Sequence, residues 1–114
     1  MRRQFHMTPS DLLQSKRFQK DFRKLDKRSQ RQVNNVILNE ILYDPSNFTL
    51  VRYEYAGIRE VRLERNLRIL FSVCDECREL RSKLKRCIDC EETGAGKIKL
   101  LTVFYHKKKY PKLF

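Results

Sequence analysis

At 114 residues the chain holds one domain's worth of sequence, enough to bury roughly two thirds of its unfolded surface around a single core, and one domain is expected over residues 1–114. With 26 Lys and Arg against 14 Asp and Glu the formal net charge is +12, while 40% hydrophobic residues still supply a core, which argues against disorder. The longest apolar run, Ile98 with Leu100 to Tyr105 around Lys99, is far short of the roughly 20 residues that span a bilayer, and Met1-Arg2-Arg3 leads into no hydrophobic stretch of signal-peptide length. A cytoplasmic protein without membrane contact is expected. The excess charge belongs to residues 1–44 and 98–114, while residues 74–97 are crowded with charge but neutral overall. A strongly basic surface attracts polyanions through counterion release, so nucleic acid is the default partner, with an acidic protein or an anionic membrane behind it.

Met1 to Ser10 reads as a polar extension, with Thr8-Pro9-Ser10 as a turn signal or a weak helix start. Asp11 to Gln14 reads as a short strand, because Leu12 and Leu13 lie off the stripe formed by Phe18, Phe22 and Leu25. Ser15 then caps a helix over 16–25, and Ser29 with Gln32 forms a capping box for a second helix to about Tyr43. Val33, Val36, Ile37 and Ile41 give that helix its apolar stripe, Leu38 and Leu42 widen it, and Asp44-Pro45 ends it. Two amphipathic helices with a short connection predict a helical hairpin. The sequence Asn47-Phe48-Thr49 spells a glycosylation acceptor that has no meaning without secretion.

From Leu50 the hydrophobic period becomes two, predicting strands over 50–53, 58–64, 67–73 and 98–105. A three-residue loop of Arg65, Asn66 and Leu67 pairs Glu64 with Arg68, Arg62 with Leu70, and Val61 with Phe71. One face is then apolar, and the other carries Arg62 and Arg68 with Glu60 beside them. A two-residue loop would mix Leu63 with Arg68 and spoil both faces. The final strand is apolar at most positions, which predicts a central strand covered on both sides.

Cys74-Asp75-Glu76-Cys77 and Cys87-Ile88-Asp89-Cys90 are two CxxC knuckles nine residues apart. Each supplies two thiolates at the bite a tetrahedral ion needs. The set of Cys74, Cys77, Cys87 and Cys90 leaves no open coordination position, so the expected ion is a structural zinc closing a small insertion over 74–97. Disulfides are the first alternative. A redox CxxC is the second, and it lacks its context, because these knuckles are expected to follow a strand of a hairpin instead of opening a helix in a thioredoxin-like βαβ unit. Gly94-Ala95-Gly96-Lys97 lacks the spacing and the hydroxyl residue of a phosphate loop and reads as a turn.

Three stretches carry a family resemblance. Residues 12–25, Leu12-Leu13-Gln14-Ser15-Lys16-Arg17-Phe18 through Leu25, resemble the opening of RelE/ParE superfamily toxins. The segment from Gly57 through Phe71, with its Arg68-Ile69-Leu70-Phe71 strand, resembles that family's central hairpin. Val103-Phe104-Tyr105-His106 to Tyr110 is similar to its closing strand, where a His or basic residue precedes an aromatic. The resemblance covers about 11–73 and 98–110 and leaves out the cysteine segment. It implies an α+β fold, with a short N-terminal strand, a helical hairpin and an antiparallel sheet, here carrying the zinc insertion between the last two strands. It also implies a toxin of a type II toxin-antitoxin pair, with a cognate antitoxin as partner and, in the RelE branch, endoribonuclease action on ribosome-bound mRNA.

The residues suit that chemistry. Metal-independent RNA cleavage needs a base for the 2′-OH, a proton donor for the leaving 5′ oxygen, and cations on the phosphate. Arg62 and Arg68 are the candidate phosphate clamp and His106 the candidate acid or base. Tyr110 is the stacking platform or hydroxyl donor, and Lys107, Lys108 and Lys109 are RNA-backbone contacts. No small-molecule cofactor is implied. Two other readings compete: a non-catalytic zinc-containing protein that binds nucleic acid or the ribosome on the same fold, and a ParE-like topoisomerase inhibitor. The arginines have a structural alternative as well, since they can simply pair with Glu60 and Glu64.

Overall fold

The computed structural model describes residues 12–51, 55–81, 96–107 and 111. Strand β1 (Leu12–Gln14) leads through Ser15 into α1 (Lys16–Arg23), where the Ser15 side chain accepts from the Phe18 amide at 3.0 Å as the cap motif requires. The same hydroxyl donates to the Leu101 carbonyl at 2.8 Å, which ties the start of α1 to the sheet. Helix α2 (Lys27–Val36) begins earlier than the capping-box reading, because Asp26 is the cap and accepts from the Ser29 amide at 2.7 Å. Aspartate and serine are comparable caps, and Ser29 sits three residues on, where it closes the motif from inside the helix.

Helix α2 runs on into a π-helical turn, Ile37–Ile41, closed by the Leu42 amide donating to the Ile37 carbonyl at 3.0 Å. At 100° per residue Leu42 would fall on the side opposite Val33, but the extra residue in the π turn rotates it back, and it is buried at 4% exposure. Leu38 is left outside at 55%, which corrects the expectation that it widens the apolar stripe. Asp44-Pro45 ends the helix as expected, with Asp44 capping a short 3-10 turn over Pro45–Asn47.

The remaining strands are β2 (Thr49–Leu50), β3 (Arg59–Arg62), β4 (Leu67–Val73) and β5 (Ile98–Tyr105), with helix α3 (Cys74–Leu80) directly after β4. The sheet order is β1-β5-β4-β3-β2. It is mixed, not wholly antiparallel as expected: β1 runs parallel to β5 while every other pair is antiparallel. Period-two patterning identifies a strand but carries no direction when two strands are not joined by a hairpin. Strand β5 lies between β1 and β4 and is buried from Ile98 to Val103, as a central strand should be.

The β3–β4 hairpin has a three-residue loop, but it is Glu64–Asn66 and not Arg65–Leu67. Val61 therefore pairs with Ile69, Glu60 with Leu70 and Arg62 with Arg68. Arg65 and Asn66 adopt left-handed backbone at φ 59° and 62°, and the Leu63 amide closes the loop on the Leu67 carbonyl at 2.7 Å. The register differs from the expected one by two residues. A shift of two leaves every side chain on its expected face, so the apolar and charged faces survive. Val61, Leu67, Ile69 and Phe71 pack with Phe18, Val33, Ile37 and Ile41 between sheet and helices, and Phe22 packs on the edge of that core. A smaller cluster of Ile58, Leu70 and Leu101 covers part of the opposite face.

Candidate functional site

Alternation along β3, β4 and β5 places Glu60, Arg62, Arg68, Phe104 and His106 on the sheet face turned away from the helical hairpin. The Tyr105 hydroxyl confirms the phase, because it lies 3.2 Å from the Ser29 hydroxyl on the helical side. Arg62 pairs directly with Arg68, and Arg68 directly with Phe104, so the three form a row across adjacent strands. Just beyond the row, the His106 amide donates to the Asn66 carbonyl at 2.8 Å and fixes the end of β5 against the hairpin loop. The rings of Phe104 and His106 meet edge to face with centroids 6.1 Å apart.

Two arginines facing each other across a ladder repel, and Glu60 resolves this. Its carboxylate accepts from Arg62 Nε at 3.0 Å through one oxygen and from an Arg68 terminal nitrogen at 3.1 Å through the other. The Glu60 side chain is 2% exposed, that of Arg68 15% and that of Arg62 70%. Arg68 is therefore held in place with its charge near the surface, while Arg62 extends into solvent. A cleft of about 230 Å³ opens beside Glu60 and Arg62, walled by Glu40, Phe48 and Thr49.

Of the residues singled out from sequence, Arg62, Arg68 and His106 are brought to one face, and Lys107 is exposed at its rim. Lys108, Lys109 and Tyr110 lie outside the described residues. Alternation puts Glu60 on this face too, and of the two acids expected as partners for the arginines, Glu60 is the one seen to hold both. A signal for it exists in the sequence, since an acid two residues from one arginine and across the hairpin from another is positioned to order both.

The first cysteine knuckle does open a helix, against expectation: Cys74 is the first residue of α3 and Cys77 lies a turn later, both buried. The flanking strands β4 and β5 are antiparallel, so α3 is still not the helix of a thioredoxin-like βαβ unit. Spacing of three residues on a helix turns both thiols to one face, as a shared ligand would need. Among the described residues no group of three or more His, Cys, Asp and Glu can hold a metal, and Cys87 and Cys90 lie outside them. Helix α3 is built into the body of the fold. Glu76, between the two cysteines, takes a two-point ion pair from Arg59 at 2.9 and 2.7 Å, and Arg59 also donates to the Phe48 carbonyl. Buried Arg81 donates to the Ala56 carbonyl at 3.1 Å. Gly57 sits at φ 86° with the Cys77 Cα only 3.1 Å from where a Cβ would stand, so a side chain there would push α3 away.

No protein-family model matches the chain, and no curated protein matches it. Solved structures do. A chain of the toxin-antitoxin complex RelBE2 from Mycobacterium tuberculosis superposes with a TM-score of 0.61 at 18% identity, covering 83% of this chain and 88% of that one. The conserved hypothetical protein HP0894 from Helicobacter pylori gives 0.50 at 17% identity, covering 83% and 92%. At such identities the likeness establishes the fold, an α+β architecture with a five-stranded mixed sheet, and the expectation of a RelE-like fold is met at that level. No helix among the described residues is long and apolar enough to cross a membrane.

Proposed function

We propose that the protein is the toxin of a type II toxin-antitoxin pair, a cytoplasmic, metal-independent endoribonuclease that cleaves mRNA on the ribosome. One observation carries the reading: Arg62 and Arg68 on neighbouring strands and His106 just past the end of β5, expected to take complementary tasks, lie on one side of the sheet. The RelE-like fold supports it, and the RelBE2 complex supports an antitoxin as partner.

The geometry of the described residues supports distinct roles for the arginines and His106. Arg68, fixed by Glu60, presents a cation to the scissile phosphate without having to be ordered at the moment of reaction, which is what transition-state stabilisation requires. Arg62, more exposed, closes over the phosphate from the neighbouring strand. His106 holds or delivers the proton at the 2′ or 5′ oxygen, and the edge-on Phe104 ring limits its rotation. Glu60 is a positioning residue. Tyr110 serves as stacking platform or hydroxyl donor, and Lys107, Lys108 and Lys109 hold the RNA backbone. Cys74, Cys77, Cys87 and Cys90 hold a structural zinc, whose chemistry is confined to closing a loop.

Primer extension on translating ribosomes tests the reading. Arg68→Ala and His106→Ala should each lower cleavage by a factor of roughly a hundred or more while leaving ribosome binding near wild type, because many lysines share the affinity and few groups touch the transition state. Binding without cleavage by the wild type would establish the non-catalytic reading instead. That reading draws on Glu60, whose carboxylate already offsets charge on the two arginines.

A further inference from the structure

The helical hairpin carries a second basic surface on the side of the molecule away from Arg62, Arg68 and His106. Between residues 16 and 31 stand eight Lys and Arg side chains against Asp21 and Asp26, and all eight are exposed. At 100° per residue Lys16, Arg17, Lys20, Arg23 and Lys24 fall within one sector of α1 opposite Phe18 and Phe22, and Lys27, Arg28 and Arg31 do the same on α2 opposite Ser29, Val33 and Val36. The two acids are engaged. Asp21 accepts from the Thr102 hydroxyl at 2.7 Å and lies 3.6 Å from Arg17, and Asp26 caps α2.

We infer that this face binds the phosphate backbone of double-helical RNA, so that the molecule grips a duplex with its helices while its sheet face takes a single strand. Composition selects the occupant. Single-stranded RNA is held by stacking on aromatic rings, and the exposed residues of α1 and α2 include none; Tyr105 lies against Ser29 on the inner side of α2, Tyr43 lies beyond the helix, and Phe104 and His106 belong to the other face. An acidic protein is disfavoured because protein interfaces are depleted in lysine, and half of the eight cations here are lysines. The proposal deepens the nuclease reading by naming a second RNA element for the same molecule; its test is read by binding, with cleavage followed separately so that the two readings can fail apart.

The test is binding of the full chain to a blunt RNA duplex, an unstructured single strand and polyglutamate over a range of salt. Lys16, Lys20, Lys24, Lys27 and Arg31 are changed together to Gln, with Arg68→Ala as the second variant. The five-fold variant should keep the wild-type circular dichroism, weaken duplex binding more than single-strand binding, and flatten the duplex salt slope by roughly 0.9 for each phosphate that it no longer neutralises. Arg68→Ala should leave duplex binding unchanged. An unaltered duplex slope in the five-fold variant overturns the proposal, as does polyglutamate binding that falls more than duplex binding. Abolished cleavage with intact duplex binding in Arg68→Ala would support both readings, whereas duplex binding without any wild-type cleavage would sink only the nuclease.

Discussion

The Glu60 carboxylate is where stability and site organisation meet. It is buried and receives two arginine donors, so its removal takes a charged partner from Arg68, which has little access to water, but costs the exposed Arg62 little. Glu60→Ala should therefore lower unfolding free energy by about 2–3 kcal/mol, whereas Arg62→Ala should cost less than about 1 kcal/mol. Urea denaturation of both variants checks the contrast, and equal effects would mean that the pair is not held as seen. Asp26 gives a second prediction at this scale. Hydrogen bonds from the Ser29 amide and hydroxyl, with smaller help from Arg65 and Arg28, hold its carboxyl below the ordinary 3.8. A depressed folded-state value means that the carboxylate's contribution is complete above 3.8 and is lost as pH falls through the lower folded value. Asn caps helices about as well but does not titrate, so the stability advantage of wild type over Asp26→Asn should shrink in thermal melts taken below that pH.

At the scale of elements, the signals legible in the sequence are the ones set by local patterning. Ser15 declares the first cap, Asp44-Pro45 the helix end, and strands 67–73 and 98–105 have the limits their alternation predicts. What escapes is set by contacts distant in sequence or by small differences between equivalent local choices. Asp26 and Ser29 are both competent caps, the π turn at Ile37–Ile41 follows from burying Leu42, and the parallel pairing of β1 with β5 joins residues more than eighty positions apart. The hairpin register differs by two and its faces are still right, because face depends only on parity, so the arginine face is legible although the partners within it are not. Ser15 illustrates how a local signal gains long-range weight. It caps α1 and donates to β5, so Ser15→Ala should cost about 1–2 kcal/mol, more than an exposed cap of the same type, as measured by chemical denaturation.

For the whole molecule, the question is how the cysteine segment relates to the fold that carries it. Its few apolar residues suggest a piece that depends on zinc, but its opening helix is anchored independently through Glu76 to Arg59 and through Arg81 to Ala56. Arg59 also reaches the Phe48 carbonyl and precedes Glu60 on β3, so α3, the 3-10 turn before β2 and the arginine-bearing strand share one polar anchor. The core among Phe18, Val33, Ile41, Val61, Ile69 and Phe71 includes none of the cysteines. If the four cysteines hold zinc, purified protein should contain one zinc per chain by elemental analysis, and chelation should leave the slow amide exchange of β4 and β5 intact. The amides of α3 should stay protected as well, because the ion pair and the Arg81 hydrogen bond persist without metal. Loss of protection across the sheet on chelation would show that the ion supports the core. Protection lost from α3 alone would show that Arg59 and Arg81 do not hold it unaided, and the Arg59→Ala variant should reproduce that loss with zinc still bound.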